Sequence, residues 1–312
     1  MRSRHVWCLA GLATIVSVFG TVRGSSGQAD QRFYFVSVMK VTDSTSYAAP
    51  SWSPANDNEL AITKTSYEGI YLLSLEGRQI RQLTEDRQAG YKFRWTRDGR
   101  HIAYRTRLGD RELQIRLLDV TTGGVTWASE SGPDVGLPAE QGISAIAFRA
   151  NDKKTTRRTL SSTTDARGYP FAYQSGDQIY LSTRGEDKRI SAAGDQCFLP
   201  VVSPDRGKVL YQEMSKGLCV YHVSSETTLC LGEGSSPCWS PDSRHIVYEV
   251  TRDDGHNLLS SDLYIAAWDG SWKSQLGPAP GGLKRRPSWS GDGRRIAFDA
   301  DGAIYVGVLG RR

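Results

Sequence analysis

The side chains that could carry acid–base or metal chemistry are few and scattered. The 312-residue chain has five histidines. His101 and His245 precede equivalent β-rich triplets, which indicates turn residues, and the isolated His222 and His256 support no metal site. No Gly-x-Ser-x-Gly elbow occurs, which excludes the usual serine-hydrolase nucleophile. We therefore expect no catalytic residue, no metal and no cofactor.

The charged clusters indicate loops rather than cation or nucleic-acid sites. Asp253-Asp254-Gly255 and Asp299-Ala300-Asp301-Gly302 lack the spaced oxygen ligands of a calcium loop, whereas Asp and Gly are common in hairpin turns. The basic pairs Lys153-Lys154 and Arg157-Arg158 have no interleaved aromatics. We therefore expect no nucleic-acid partner.

Two polar hairpins and two long connections exceed what a repeat of short strands needs. The two long segments are Ser129–Gly142 and Asn151–Gly168. The two hairpins are Arg252–Asp262 and the one that follows Tyr104. Because function concentrates in loops held by a rigid scaffold, the charged hairpin residues are the candidate binding residues. They are Arg105, Asp110, Arg111, Asp253, Asp254 and His256.

The elements that must position these hairpins come from an internal repeat. The anchors are Trp52-Ser53-Pro54, Trp239-Ser240-Pro241, Trp95-Thr96-Arg97-Asp98-Gly99, Trp289-Ser290-Gly291-Asp292-Gly293 and a Trp-less copy, Val202-Ser203-Pro204-Asp205. Nine residues after four of the five anchors an aromatic closes a β-rich triplet, as at Tyr248. With a sixth copy around Phe148 the anchors are spaced by 37 to 54 residues, the length of a propeller blade of four strands.

The repeat predicts an all-β fold, a six-bladed β-propeller in one domain over residues 30–312. The sixth copy is stretched: Ile146-Ala147-Phe148 stands where an anchor strand should, and Phe171-Ala172-Tyr173 follows late. After Tyr305 the chain has no room for a fourth strand. We expect the N-terminal strand Phe33–Val38 to complete the last blade and close the ring, which removes exposed sheet edges.

The N-terminus has the layout of a secretory signal peptide over residues 1–24. Arg2 and Arg4 precede an apolar stretch from Val6 to Gly20, and small residues follow. We expect cleavage, export to the periplasm or the exterior, and no stable membrane insertion afterwards. Without Arg2, Arg4 and Arg23 the formal charge of +5 falls to +2, which gives no electrostatic reason to expect a membrane surface as partner.

Four cysteines follow the signal segment, and an oxidising compartment permits them to pair. Cys219 and Cys230 lie on two arms of one predicted hairpin. Cys197 and Cys238 both lie near the starts of inner strands in adjacent blades. The preferred connectivity is therefore Cys219 with Cys230 and Cys197 with Cys238, with geometry deciding between this pairing and the others.

The segment Trp239-Ser240-Pro241-Asp242-Ser243-Arg244-His245-Ile246-Val247-Tyr248, followed by Asp262-Leu263-Tyr264-Ile265, resembles the WD-repeat-like module of the TolB-type β-propellers. The resemblance covers essentially the whole chain after the signal segment. It implies a propeller fold, here expected without the N-terminal α/β domain of the family's namesake. Related propellers also occur in peptidases of the prolyl-oligopeptidase type and as oligogalacturonate lyases.

Two classes of function remain open at this point. The first is an exported, monomeric binding module that recognises a protein, peptide or glycan in the envelope or extracellular space. The second is a secreted enzyme, such as a polysaccharide lyase or lactonase, acting at the axial opening. Polar residues that converge at the axis around a metal would favour the enzyme.

Overall fold

The computed structural model describes residues 33–140, 145–149, 155–159, 170–184 and 186–311. The predicted signal peptide, Lys153 and Lys154 lie outside these residues. Every regular element among them is a β-strand. The strands are β1 (Phe33–Lys40), β2 (Tyr47–Trp52), β3 (Glu59–Lys64), β4 (Ile70–Ser74), β5 (Gln79–Thr84), β6 (Arg94–Trp95), β7 (His101–Arg107), β8 (Leu113–Asp119), β9 (Val125–Trp127), β10 (Ala139–Glu140), β11 (Ala145–Arg149), β12 (Thr155–Thr159), β13 (Phe171–Ser175), β14 (Gln178–Thr183), β15 (Glu186–Arg189), β16 (Cys197–Val202), β17 (Lys208–Glu213), β18 (Gly217–His222), β19 (Thr227–Gly232), β20 (Ser235–Trp239), β21 (His245–Asp253), β22 (Leu258–Ala267), β23 (Lys273–Gln275), β24 (Lys284–Trp289), β25 (Arg295–Ala300) and β26 (Ala303–Arg311).

These strands form small antiparallel sheets, one after another along the chain. Five sheets have four strands: β2–β5, β6–β9, β16–β19, β20–β23 and the sheet ordered β1-β26-β25-β24. They correspond one for one to the five anchored copies of the repeat. The prediction of an all-β propeller is thereby confirmed.

The stretched copy supplies two three-stranded sheets, β10–β12 and β13–β15. The six copies thus give seven sheets among the described residues. The extra sheet arises because β11 pairs with β12, from Ala145 opposite Thr159 to Arg149 opposite Thr155. Part of the segment Asn151–Gly168, predicted to be an insertion, is therefore a strand, and its three threonines are β-branched residues that favour one.

Closure of the ring by the N-terminal strand is confirmed. β1 pairs antiparallel with β26, from Phe33 opposite Arg311 to Lys40 opposite Tyr305. Two glycines of β26 make room for the β1 aromatics: a Cβ at Gly307 would lie 2.3 Å from the Phe35 ring, and one at Gly310 would lie 2.6 Å from Tyr34. The last sheet is therefore built from both ends of the described chain.

The anchor tryptophans join neighbouring sheets. Each indole of the group is buried, and three of them donate a hydrogen bond to the carbonyl oxygen just before the anchor of the preceding sheet. Trp52 Nε1 donates to Ser288 O at 3.0 Å, and Trp239 Nε1 donates to Val201 O at 3.1 Å. Burial against the neighbour and this bond explain why the repeat places Trp at the end of the inner strand.

The Ser-x-Asp or Thr-x-Asp turn that follows four of the five anchors is held by its own side chains. In the fifth copy Ser240 Oγ donates to Asp242 Oδ1 and accepts from the backbone N–H of His245 at 2.9 Å. Thr96, Ser203 and Ser290 make equivalent bonds in their copies. A short hydroxyl at this position satisfies the backbone where the ladder ends, which fixes the turn between the two inner strands of each sheet.

One of the two predicted disulfides is present. Cys219 and Cys230, directly opposite on β18 and β19, are joined, whereas Cys197 and Cys238 are free. The predicted Cys197–Cys238 pair is wrong because Cys197 begins its inner strand and Cys238 lies one residue before its anchor. Four residues of strand, about 13 Å at the usual rise per residue, separate the two positions in the repeat, well beyond disulfide reach.

Peptide mapping checks this connectivity. We expect non-reducing digestion to yield one linked peptide pair, containing Cys219 and Cys230. The thiols of Cys197 and Cys238 should alkylate slowly before unfolding and fully after it, because Cys197 is buried and burial raises the pKa of both thiols. A Cys197–Cys238 linkage, or four free thiols in secreted material, would contradict the structure.

Candidate functional site

A cavity of about 420 Å³ lies where the inner strands of all the described sheets meet. One lining residue from each sheet is Trp52, Trp95, Ala139, Ala172, Val201, Cys238 and Trp289. Because every sheet contributes, the cavity lies on the propeller axis. Its volume is in the range of ligand sites for small molecules or for a side chain and its neighbours.

A recurrent backbone irregularity before the five anchors directs one residue of each of these copies toward this cavity. The third residue before the anchor has a positive φ in five copies: Ala49, Lys92, Leu199, Ser236 and Arg286. In β2, β16, β20 and β24 the ladder register shifts at this point. Such a bulge redirects a side chain, so this position decides what each sheet presents at the axis.

The polar lining of the cavity is cationic. Six basic residues line it: Lys92, Arg94, Arg97, Arg206, Arg285 and Arg286. No aspartate, glutamate or histidine belongs to the lining that the structure describes. Anionic groups are therefore the chemistry that this cavity can accept.

Arg286 is neutralised and fixed. Its Nε and Nη2 donate to the two carboxylate oxygens of Asp299 at 2.7 and 2.6 Å, and Nη1 donates to the Tyr67 hydroxyl at 3.1 Å. Asp299 is 3% exposed and also accepts the backbone N–H of Ala49 at 3.0 Å. Contact with Asp299 raises the pKa of Arg286 against the effect of burial, so this guanidinium is a permanent structural cation.

Arg285 has fewer hydrogen-bond acceptors than the neighbouring Arg286. Its Nε lies 3.9 Å from Glu249 Oε1, too far for a hydrogen bond, and this buried nitrogen has no hydrogen-bond partner among the described residues. Glu249 instead accepts the hydroxyls of Ser235 and Ser236 at 2.9 and 3.2 Å. A buried donor without an acceptor is costly, and a ligand oxygen would satisfy it.

Lys92 is the lysine among the residues that line the cavity, and the pKa of its amine is lowered. The side chain is half-buried, and the part of the chain that the structure describes offers its Nζ no ion pair. Burial, followed by repulsion from Arg94, lowers the pKa of Lys92 to about 8, with Arg285 and Arg286 acting in the same direction and Glu249 opposing. The amine is therefore mostly charged at neutral pH, with a minor neutral fraction.

Of the predicted residues of the second copy, Arg105 lies in β7, whereas Asp110 and Arg111 lie in the hairpin between β7 and β8. Arg105 is half-buried and donates from Nη1 to Val135 O at 2.9 Å, and burial lowers its pKa. Asp110 and Arg111 are exposed, and the Asp110 carbonyl accepts from Arg107 at 2.7 Å. Arg105 thus fastens a connection, whereas Asp110 and Arg111 are available to a partner.

The predicted residues of the fifth copy lie at the exposed tip of the long hairpin between β21 and β22. Asp253 Oδ1 accepts the N–H of Gly255 at 2.9 Å. Asp254 Oδ1 accepts the N–H groups of His256 and Asn257, and these bonds lower its pKa. Both carboxylates therefore shape the turn. Neither hairpin belongs to the cavity lining, and their role as partner contacts stays a prediction.

The basic residues of the cavity were not identified from the sequence, although a pattern in the repeat marks their position. In four copies a proline follows the bulge position, giving Ala49-Pro50, Leu199-Pro200, Ser236-Pro237 and Arg286-Pro287. Alignment of the copies on their anchors would have placed Lys92 and Arg286 at one repeat position. The direction of that side chain depends on the bulge, which residue types alone do not indicate.

The cavity does not suit a metal ion. No group of three His, Cys, Asp or Glu side chains able to hold a metal occurs within the described ranges. The lining supplies cationic donors, whereas a divalent ion needs acceptors.

In the same ranges no helix is long and apolar enough to span a membrane.

Comparison with known proteins places the chain at the level of fold. No protein-family model matches it, and no curated protein matches it in sequence. Among solved structures, an oligogalacturonate lyase in complex with manganese is 14% identical with a TM-score of 0.58, covering 90% of this chain and 96% of that one. TolB from Acinetobacter baumannii is 20% identical with a TM-score of 0.56, covering 80% of this chain and 59% of that one. A putative TolB from Agrobacterium tumefaciens is 16% identical with a TM-score of 0.57, covering 90% and 99%. The chain is therefore a β-propeller similar in fold to the TolB and oligogalacturonate lyase propellers.

Proposed function

We propose that the protein is an exported binding module that takes an anionic group of a protein, peptide or glycan into its axial cavity. The observation that carries this proposal is the cationic lining, in which, among the described residues, the Arg285 Nε has no hydrogen-bond acceptor and Lys92 has no ion pair. Charges of one sign in a concave site raise the local concentration of oppositely charged ligands. A carboxylate or sulfate would meet both cations there.

Aromatic rings at one part of the lining suit a polymer better than a bare ion. Tyr67 and Tyr91 meet edge to face with ring centroids 5.4 Å apart, and the guanidinium of Arg286 lies over the Tyr67 ring. Tyr91 is 38% exposed. A sugar ring or an extended peptide can pack on such a pair while its acidic groups approach the cations.

Export is supported by two independent features of the chain. The N-terminal residues have the charge and hydropathy pattern of a signal peptide, and Cys219 and Cys230 form a disulfide. Structural disulfides persist in oxidising compartments such as the periplasm and the exterior. The candidate residues Asp110, Arg111, Asp253, Asp254 and His256 would then extend the contact with a large partner at the exposed hairpins.

Titration calorimetry with an oligogalacturonide, an oligoglutamate peptide and a neutral malto-oligosaccharide tests the proposal. We expect one or both acidic ligands to bind and the neutral one not to bind. Loss of a hydrogen bond to a charged group is worth about 1.5–3 kcal/mol, so Arg285→Ala should weaken binding roughly ten- to a hundredfold. Affinity should also fall from about pH 7 to about pH 9, because Lys92 loses its positive charge as the pH passes its pKa.

The matched control is Arg244→Ala, which removes an exposed arginine outside the lining. Its affinity should equal that of the wild type. Equal losses in both variants would indicate a nonspecific charge effect. If Asp253→Ala, Asp254→Ala and His256→Ala together abolish binding while Arg285→Ala has no effect, the hairpins and not the cavity form the site.

The enzyme alternative, a polysaccharide lyase or lactonase, is favoured by the likeness in fold to an oligogalacturonate lyase. Incubation of the protein with the same oligogalacturonide distinguishes a lyase from a binding module. A lyase would generate an unsaturated product with new ultraviolet absorbance. Binding without that absorbance would favour the binding module.

A further inference from the structure

Lys92 differs from the lysines that form ion pairs within the described residues. Lys208 is bonded to Asp205 at 2.6 Å and Lys216 to Asp195 at 2.8 Å, and Lys284 lies 3.1 Å from Asp262. Ion pairs of this kind keep an amine protonated and therefore unreactive. Glu249, the carboxylate that acts on the Lys92 amine, is engaged elsewhere, because it accepts from two serine hydroxyls and from the Arg286 backbone.

The backbone that carries Lys92 is fixed on both sides. Gly90 passes so close to β3 that a Cβ there would lie 1.8 Å from Thr63 Oγ1, and its N–H donates to Tyr67 O at 3.0 Å. Phe93, the next residue, is buried. Lys92 itself has a φ of 56°. The backbone of Lys92 is therefore held in place beside the cavity, so that only the side-chain torsions have to be ordered when the amine reacts.

The charged groups that act on the Lys92 amine come from three elements. They are Arg94 on β6, Glu249 on β21, and Arg285 and Arg286 on β24. Burial and the charges of Arg94 and Arg285 disfavour the ammonium form, with a further contribution from Arg286, whose charge Asp299 offsets. At pH 7 about a tenth of Lys92 is neutral, against fewer than about one in a thousand ordinary lysines. A lysine placed beside other cations in this way is an activated nucleophile.

We propose that Lys92 captures, as an imine, a carbonyl compound that also carries an anionic group. This inference rests on the proposed function, because the cavity cations, Arg285 among them, would hold the anionic group while the carbonyl meets the amine. The ligand class comprises aldehydes and ketones that bear a carboxylate or a phosphate. The reducing end of an acidic sugar and a 2-oxo acid both belong to it.

The reaction is balanced without an oxidant or a reductant. The lone pair of Lys92 Nζ attacks the carbonyl carbon, and the carbonyl oxygen takes up a proton, which gives a carbinolamine. Loss of the hydroxyl as water and of the remaining proton from nitrogen gives the C=N bond. The net change is amine plus carbonyl to imine plus water, and addition of water reverses it.

Trapping with pyridoxal 5′-phosphate and borohydride tests the proposal on the mature, disulfide-bonded protein. This probe has an aldehyde and a phosphate, and borohydride reduces its imine to a stable amine that peptide mapping locates. We expect Lys92 to be labelled about tenfold faster than the exposed Lys273, with a rate that rises to a plateau above about pH 8. Pyridoxal, which lacks the phosphate, should label Lys92 more slowly.

Two variants and a competitor decide the outcome. Lys92→Met and Lys92→Arg should both lose the fast label, and Lys92→Arg keeps the positive charge if Lys92→Met fails to fold. Pyridoxine 5′-phosphate, an alcohol, should protect Lys92 without being trapped. Labelling of Lys92 no faster than Lys273 overturns the inference. If the acidic ligands and pyridoxine 5′-phosphate still bind in that case, the proposed function survives; if they also fail to bind, both proposals are wrong.

Discussion

Deletion of Phe33–Lys40 is expected to remove most of the stability of the propeller and to cause aggregation. β1 supplies Phe33 and Phe35, both buried, to the core shared with Trp289 and Phe298. Truncation of one buried Phe costs about 3–5 kcal/mol, and a whole domain is stable by only about 5–15 kcal/mol. The deletion also leaves β26 as an unpaired sheet edge, which invites pairing between molecules.

Thermal unfolding and size-exclusion chromatography with light scattering measure this effect. Point variants on the same strand provide the matched comparison. Phe35→Ala should lower the melting temperature strongly, whereas Val36→Ala, whose side chain is 61% exposed, should leave it nearly unchanged. A deletion variant that stays monomeric and melts like the wild type would show that the ring does not depend on its closing strand.

Replacement of Asp299 by Ala is expected to destabilise the protein by about 3–5 kcal/mol, the usual effect of removing one partner of a buried ion pair. The change leaves the guanidinium of Arg286 without its carboxylate and the N–H of Ala49 without its acceptor. Asp299 joins the last sheet to the first, so its loss weakens the same junction that β1 closes. Urea denaturation with a constant m-value measures the difference.

Two further variants separate the buried pair from charge in general. Glu226→Gln breaks the exposed pair with Lys188 and should change the free energy of unfolding by less than about 1 kcal/mol. Asp299→Leu combined with Arg286→Met removes both charges and should recover part of the lost stability. If Asp299→Ala changes the free energy of unfolding as little as Glu226→Gln does, the Arg286–Asp299 pair does not stabilise the junction between the last sheet and the first.

The fold was predictable from the sequence because its determinants are local and repeated. The Trp anchor, the Ser-x-Asp turn and the following β-rich triplet each lie within about ten residues, and an incomplete last copy implied a donor strand. The stretched copy was interpreted less well, since no local pattern told whether Thr155–Thr159 would pair with β11 or remain a loop. The register of that strand depends on its neighbours in space.

The candidate site was not predictable in the same way. Lys92, Arg285 and Arg286 come from two sheets, and they meet only because the ring closes and the inner strands bulge. Charged residues in an inner strand read like any other surface charges until that geometry is known. The exposed hairpins were predicted as the site because extra residues can be counted along a sequence. The meeting of short strands around an axis cannot be read in that way.

The closing strand also sets the order of events when the chain folds. β1 is the earliest strand that the ribosome makes among those described, and its partner β26 is the last. Until β26 exists, the Phe-rich segment of β1 has no native partner, and its pairing must then close a loop that includes nearly the whole domain. Loop-closure entropy grows only slowly with length, but contacts this distant form slowly. The nascent protein must therefore carry a free, aromatic strand through synthesis and, under the proposed export, through translocation, so rapid capture by chaperones is the condition for a high yield of the closed ring.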